Sequence, residues 1–131
     1  MSDVVVVGSI NVDRSVDVPV ALLRGSTLLG SDVLRGAGGK GANQAVALAR
    51  LGRSVAMVGA LGDDADGDWM LSVLADEGID VGGVVRVSQP TGQAFIFVEP
   101  DGESTIVVSP GANSALTPKP RFMRARKPHW S

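Results

Sequence analysis

Two short polar groupings carry the residue types that could do chemistry in this chain. The first is Asn11-Val12-Asp13, which follows the run Val4-Val5-Val6-Val7 and the pair Gly8-Ser9. Alternate residues of an extended segment point the same way, so Asn11 and Asp13 share a side if the strand continues. The second is Gly36-Ala37-Gly38-Gly39-Lys40-Gly41-Ala42-Asn43, at the entry to an Ala- and Leu-rich stretch. Lys40 and Asn43 are three apart near a helix start and fall on one face. An Asn side chain both donates and accepts, a Lys donates three protons, and a carboxylate such as Asp13 accepts two hydroxyl protons. A polyol, such as a sugar, suits Asn11, Asp13 and Asn43 better than an apolar ligand does. Free N–H groups at the helix start would add donors for a polar ligand. The plainer alternatives are a solvated loop acid at Asp13 and a tight turn into a packed helix at the glycines.

Two nucleotide motifs are weighed against the same glycines. Gly36 to Gly41 matches G-x-G-x-x-G in form, but that fingerprint belongs in the turn after the first strand. Here Asn11-x-Asp13 follows the first strand instead. A phosphate-binding P-loop needs Gly where Leu34 stands and Ser or Thr where Gly41 stands.

The elements that must position these groups follow from pattern. The β-branched run Val4–Val7 reads as a strand buried on both faces, which favours a parallel sheet. Leu28 to Arg35 is a further extended stretch. Ala42 to Leu51 reads as a helix stopped by Gly52, and Val55 to Val58 as a short strand. Asp64 to Glu77 reads as a second helix, with Asp63 as N-cap and Gly78 as stop. Ile79 to Val87 is extended again. Strands alternating with helices predict an α/β fold with crossover connections. Residues 93–98 and 104–108 flank Glu99-Pro100-Asp101-Gly102-Glu103 and read as a β-hairpin. The hairpin and the extended pieces between Val12 and Leu34 predict an accessory sheet, a lid over the strand ends.

Composition narrows the rest. At 131 residues the chain holds one core. With 44% hydrophobic and 20% charged residues, wholesale disorder is excluded. Cys is absent and His129 is the single histidine. Disulfides, cysteine-ligated metals and multi-histidine zinc sites are therefore excluded, and a Ser-His-Asp triad would have to recruit His129. No apolar run is long enough to span a bilayer and the start is acidic, so no membrane partner and a cytoplasmic location are expected. Residues 1–116 carry 14 acidic and 7 basic side chains, whereas 117–131 carry 5 basic and no acidic ones. The body offers no basic patch, so no nucleic-acid partner is expected.

Several stretches together resemble the N-terminal part of the PfkB-type carbohydrate kinase family, in its ribokinase-like form. They are Val6-Val7-Gly8-Ser9-Ile10-Asn11-Val12-Asp13, Gly38-Gly39-Lys40-Gly41-Ala42-Asn43-Gln44-Ala45 and Gly59-Ala60-Leu61-Gly62-Asp63-Asp64-Ala65-Asp66-Gly67. Gly78-Ile79, Thr91-Gly92-Gln93-Ala94 and Gly111-Ala112-Asn113 follow in order. The resemblance implies an α/β, Rossmann-like parallel sheet with helices on both faces plus a small antiparallel β lid. It sets residues 1–117 as the N-terminal part of such a domain, with lid segments at about 12–35 and 92–109. Residues 118–131 form a basic, Pro-rich tail unlike the family's continuation.

The resemblance also implies a function: ATP-dependent phosphorylation of D-ribose at its 5-hydroxyl. Asn11 and Asp13 would bind sugar hydroxyls, and Gly39, Lys40, Gly41, Ala42 and Asn43 would complete the sugar pocket. ATP, Mg²⁺ and a monovalent cation such as K⁺ are implied for the full-length relative, and none is expected on the residues present here. The family's base lies in a Gly-Ala-Gly-Asp stretch of its second half, so the chain alone is expected to be inactive. A homodimer through the lid is implied as well. The family's Pro-Gly-Glu-Thr lid segment is replaced by Arg24-Gly25-Ser26-Thr27, which leaves another sugar or a nucleoside open as substrate. A non-catalytic sugar-binding or dimerising module is the alternative of a different class.

Overall fold

The computed structural model describes residues 2–116. Its elements run β1 (Val4–Val7), β2 (Asn11–Asp17), β3 (Leu34–Gly38), α1 (Lys40–Arg50), β4 (Val55–Gly62), α2 (Ala65–Asp76), β5 (Asp80–Val87), β6 (Gly92–Val98) and β7 (Ser104–Ser109). A short 3-10 turn, Gly111–Ala115, closes the series. The basic tail expected at 118–131 lies outside the described residues.

The parallel sheet has the order β1-β4-β5. Helices α1 and α2 cross between its strands and feed one core of Val6, Val55, Met57, Leu61, Ala42, Ala45, Met70, Leu74 and Ile79. Met57, Leu61, Met70 and Leu74 are fully buried, each worth about 1.5–3 kcal/mol of apolar transfer. Burial of β1 differs from the expectation of two covered faces. Val6 is buried, but Val5 and Val7 on the other face are 60% and 58% exposed. Of the helices expected on both faces, the described residues supply those of one face. The contact between α1 and β1 needs two glycines. A Cβ on Gly41 would stand 2.7 Å from the Gly8 carbonyl carbon and 2.9 Å from Met57 Cε.

The second sheet has the order β3-β2-β6-β7. Its outer pairs, β2–β3 and β6–β7, are antiparallel as expected, while the central pair β2–β6 is parallel. The reason is connectivity. Strand β2 leaves the C-terminal end of β1 and β6 leaves the C-terminal end of β5, so both start from the same edge and run the same way. The extended stretch expected over Leu28–Arg35 shifts to Leu34–Gly38. Part of the glycine cluster is therefore strand, not turn.

Helix α2 starts one residue later than expected. Asp64, not Asp63, is its N-cap, accepting from the Gly67 N–H at 2.8 Å. Strand β4 is also longer than Val55–Val58, because Gly59 to Gly62 continue the pairing with β5.

Candidate functional site

One face of the second sheet and the start of α1 enclose an open cavity of about 480 Å³. Register decides which side chains face it. Asp13 pairs with Ala94 and Asn11 with Gly92. Ala94 pairs with Val108 and Ile96 with Ile106. Asn11, Asp13, Ala94, Ile96, Ile106 and Val108 thus form one continuous wall, and Gly39, Lys40 and Asn43 close it from α1. Hydroxyl-matching groups stand on one side and methyl-rich ones on the other. That division fits a molecule with a ring of hydroxyls and exposed C–H bonds.

Among the described residues Asp13 is the only carboxylate lining the cavity. It has no hydrogen-bond or ion-pair partner among the described residues, and partial burial raises its carboxyl above the ordinary aspartate range. Its space comes from β3. Asn11 lies opposite Gly38 and Asp13 opposite Gly36, and a Cβ on Gly38 would run into the Asp13 carboxylate. The glycines that looked like a nucleotide turn in sequence therefore clear room for an acid.

Asn11 is held by a residue that pattern reading did not single out. Asn113 Nδ2 donates to Asn11 Oδ1 at 2.7 Å and to the Ile10 carbonyl at 3.1 Å, while Asn113 Oδ1 accepts from the Ile10 N–H at 3.0 Å. One lone pair of the Asn11 oxygen is thereby used and its NH₂ remains to donate. Gly92 makes this pairing possible, since a Cβ there would lie 2.5 Å from Asn11 Oδ1. Gly111-Ala112-Asn113 was visible as a motif, but nothing local in it revealed a partner 102 residues away.

The N-terminal residues of α1 divide into two groups. Gly39 has φ of 95°, and a Cβ on it would meet the Ser9 carbonyl oxygen at 2.6 Å and the Asn11 nitrogen at 2.9 Å. Only glycine combines that backbone with that clearance. Lys40 and Asn43 are exposed at the cavity wall, whereas Gly41 and Ala42 are buried, Gly41 against Gly8 and Ala42 in the core. The expectation of free helix-start donors is also modified. Ser9 takes two of them, through Oγ to the Lys40 N–H at 3.1 Å and through its carbonyl to the Ala42 N–H at 3.0 Å.

A second polar group sits where the two sheets join. Asp64 Oδ1 accepts from Thr91 Oγ1 at 2.6 Å and Asp64 Oδ2 from the Thr91 N–H at 2.9 Å. Partial burial works to raise the Asp64 carboxyl. The hydrogen bonds from Thr91 and Gly67 and the nearby Arg86 charge outweigh it, and the net direction is downward. This group stabilises the corner between β4, α2 and β6 and does not line the cavity.

The described residues do not fit a magnesium–nucleotide site. Among them Asp13 is the single carboxylate at the cavity. The one acidic group close enough to share a cation, Glu99, Asp101 and Glu103, lies in the β6–β7 turn. Two of those carboxylates already accept from the backbone, Glu99 from Leu22 and Asp101 from Glu103.

A parallel α/β layer and a second, mostly antiparallel sheet with an open cavity on its face define a ribokinase-like fold. The comparisons agree. The sequence matches the pfkB family carbohydrate kinases over residues 1–126, and the chain belongs to that family. It is 49% identical over 94 residues to a ribokinase of Haemophilus influenzae, covering 71% of this chain and 31% of the relative. Its fold is similar to the ribokinase of Giardia lamblia, with a TM-score of 0.81 and 37% identity over 92% of this chain and 36% of that one. It is also similar to Arabidopsis thaliana ribokinase complexed with ribose and ATP, with a TM-score of 0.77 and 37% identity over 86% and 37% of the two chains. The chain spans about a third of the length of the curated relatives it matches. Among the described residues no helix is long and apolar enough to cross a membrane.

Proposed function

We propose that these residues form the acceptor-sugar half of a cytoplasmic, ATP-dependent kinase that phosphorylates D-ribose on its 5-hydroxyl. The observation that carries this reading is the cavity lining, with Asn11 and Asp13 beside Ala94, Ile96, Ile106 and Val108 on one sheet face and Asn43 closing it from α1. Asp13 accepts hydrogen bonds from sugar hydroxyls, and the Asn11 NH₂ donates to a sugar oxygen. Lys40 and Asn43 complete the polar rim from the helix side, over the close-packed base of Gly39, Gly41 and Ala42. Each group orients the acceptor, and orientation is a large share of phosphoryl-transfer catalysis. ATP with Mg²⁺ and a monovalent cation such as K⁺ would supply the phosphoryl group and the charge that steadies it. Asp13 is a binding group in this scheme and not the base. A homodimer through the second sheet belongs to the same reading, supported by the exposed Val20, Leu23, Leu29, Val33 and Leu34 on the way into β3.

Ligand-induced thermal shifts test the substrate class. D-ribose is expected to raise the melting temperature of the chain, and fructose and adenosine to do less. A larger shift with either competitor, or none with any, overturns the assignment. The 131 residues alone are expected to release no ADP from ATP with ribose above an Asp13→Ala control. Turnover above that control would contradict the view that they hold only the acceptor half.

A further inference from the structure

The back of β2 carries an arrangement that the cavity does not explain. Asn11 and Asp13 face the cavity, so Val12 and Arg14 point the other way, and Val12 is fully buried in the core with Met70 and Leu74 of α2. Arg14 lies directly opposite Arg35 of β3. Like charges opposed across a strand pair repel. Here each finds its own partner on α2. Arg14 Nη2 contacts Asp66 Oδ1 at 2.9 Å, and the Arg35 guanidinium lies 4.0 Å from the centre of the Trp69 ring. Asp66 and Trp69 are three apart, hence on one face of the helix. The Arg14–Asp66 pair is 29% and 21% exposed, much of it withdrawn from water. Arg14 Nη1 is buried without a hydrogen-bond partner, so the pair is held by geometry at some cost in solvation.

We infer that Arg14 and Arg35 with Asp66 and Trp69 form a two-point clamp that fixes the second sheet on α2 and so positions Asp13 over the cavity. Glycines at 36 and 38 leave β3 without side chains to pack against Asp13 and Asn11, so the strand pair is steadied from the next residues along. Arg14 is bonded directly to Asp13 in the chain, and Asp66 stands outside the cavity. These four are positioning residues.

Hydrogen exchange on the 131-residue chain tests the clamp without any ligand. Asp66→Asn keeps the side-chain shape and removes the charge. It is expected to speed exchange of residues 11–17 and 34–38 roughly one-and-a-half- to fivefold, the range of a partly exposed ion pair. Trp69→Leu should act in the same direction. The double reversal Arg14→Asp with Asp66→Arg should move the rates back toward wild type. Glu77→Gln, which removes the paired contacts to Arg50 at 2.8 and 2.9 Å elsewhere, should leave those segments unchanged. Equal rates in Asp66→Asn and wild type overturn the clamp. The second arm rests on the sugar-binding reading. D-ribose should bind Asp66→Asn roughly one-and-a-half- to fivefold more weakly than wild type, scaling with the exchange change. Faster exchange with unchanged affinity overturns the positioning role. Wild type that binds no ribose contradicts the sugar reading, and exchange then decides the clamp by itself.

Discussion

Asp13 is a carboxylate kept partly buried with nothing donating to it among the described residues, and that has a measurable sign. Its folded pKa lies above the unfolded one, so the charged form is disfavoured in the native state. The penalty is present above the raised pKa and is relieved as pH falls through it. Asp13→Asn should therefore raise the melting temperature near neutral pH while weakening ribose binding, a trade that calorimetric melts and titrations would show together. Equal or lower stability in the variant would contradict the environment described. Asn113 is the opposite case. Its amide satisfies both backbone groups of Ile10, and Asn113→Ala would leave them unpaired in a buried site. The expected loss is about 2–4 kcal/mol in denaturant unfolding, and a loss below about 0.5 kcal/mol would show that water replaces the amide. The residue scale was partly legible beforehand. Period-2 spacing was enough to put Asn11 and Asp13 on one side, and helix spacing to join Lys40 with Asn43. Asn113 was not legible, because its importance arises from a contact across 102 positions.

At the scale of elements, the corner at Asp64 joins helix capping to sheet-to-sheet contact. Its folded pKa is lowered, so its stabilisation is present above the unfolded aspartate value and is lost as pH falls through the depressed folded value. Asp64→Ala removes the N-cap bond and both Thr91 bonds. It should cost about 1–3 kcal/mol near neutral pH and flatten the acid limb of the stability profile. A variant with the wild-type acid limb would remove Asp64 from that role. The sequence placed a cap at this helix one residue early because Asp63 and Asp64 are chemically equal. What separates them is Thr91, which reaches only the second. Strand β3 shows the same limit. Its glycines read as a turn by local propensity, yet tertiary need for space beside Asp13 makes them a strand. Helix α1, by contrast, was readable because Ala-rich composition and the stop at Gly52 agree with its packing.

Over the whole molecule, the parallel sheet presents Val5, Val7 and Val85 at 53–60% exposure, and the edge strand β7 presents Ile106, Val107 and Val108 at 55–56%. Contiguous apolar surface and an unpaired strand edge favour association. Sedimentation should show the 131 residues self-associating, and Val5→Thr with Val7→Thr should reduce it. A monomer with a sharp melt before substitution would contradict this. That open face was not legible in the run Val4–Val7 alone, and in the described residues it is uncovered. A β-branched run looks the same whether one face or two are covered, and only the placement of α1 and α2 on one side distinguishes them. The central claim is that the wall of Asn11, Asp13 and Asn43 recognises a sugar. Isothermal titration of D-ribose into wild type and Asp13→Ala tests it most directly. The account predicts one-to-one binding to wild type and a roughly ten- to hundredfold weaker affinity in the variant, the worth of a hydrogen bond to a charged group. Equal affinities, or no binding to wild type, would contradict it.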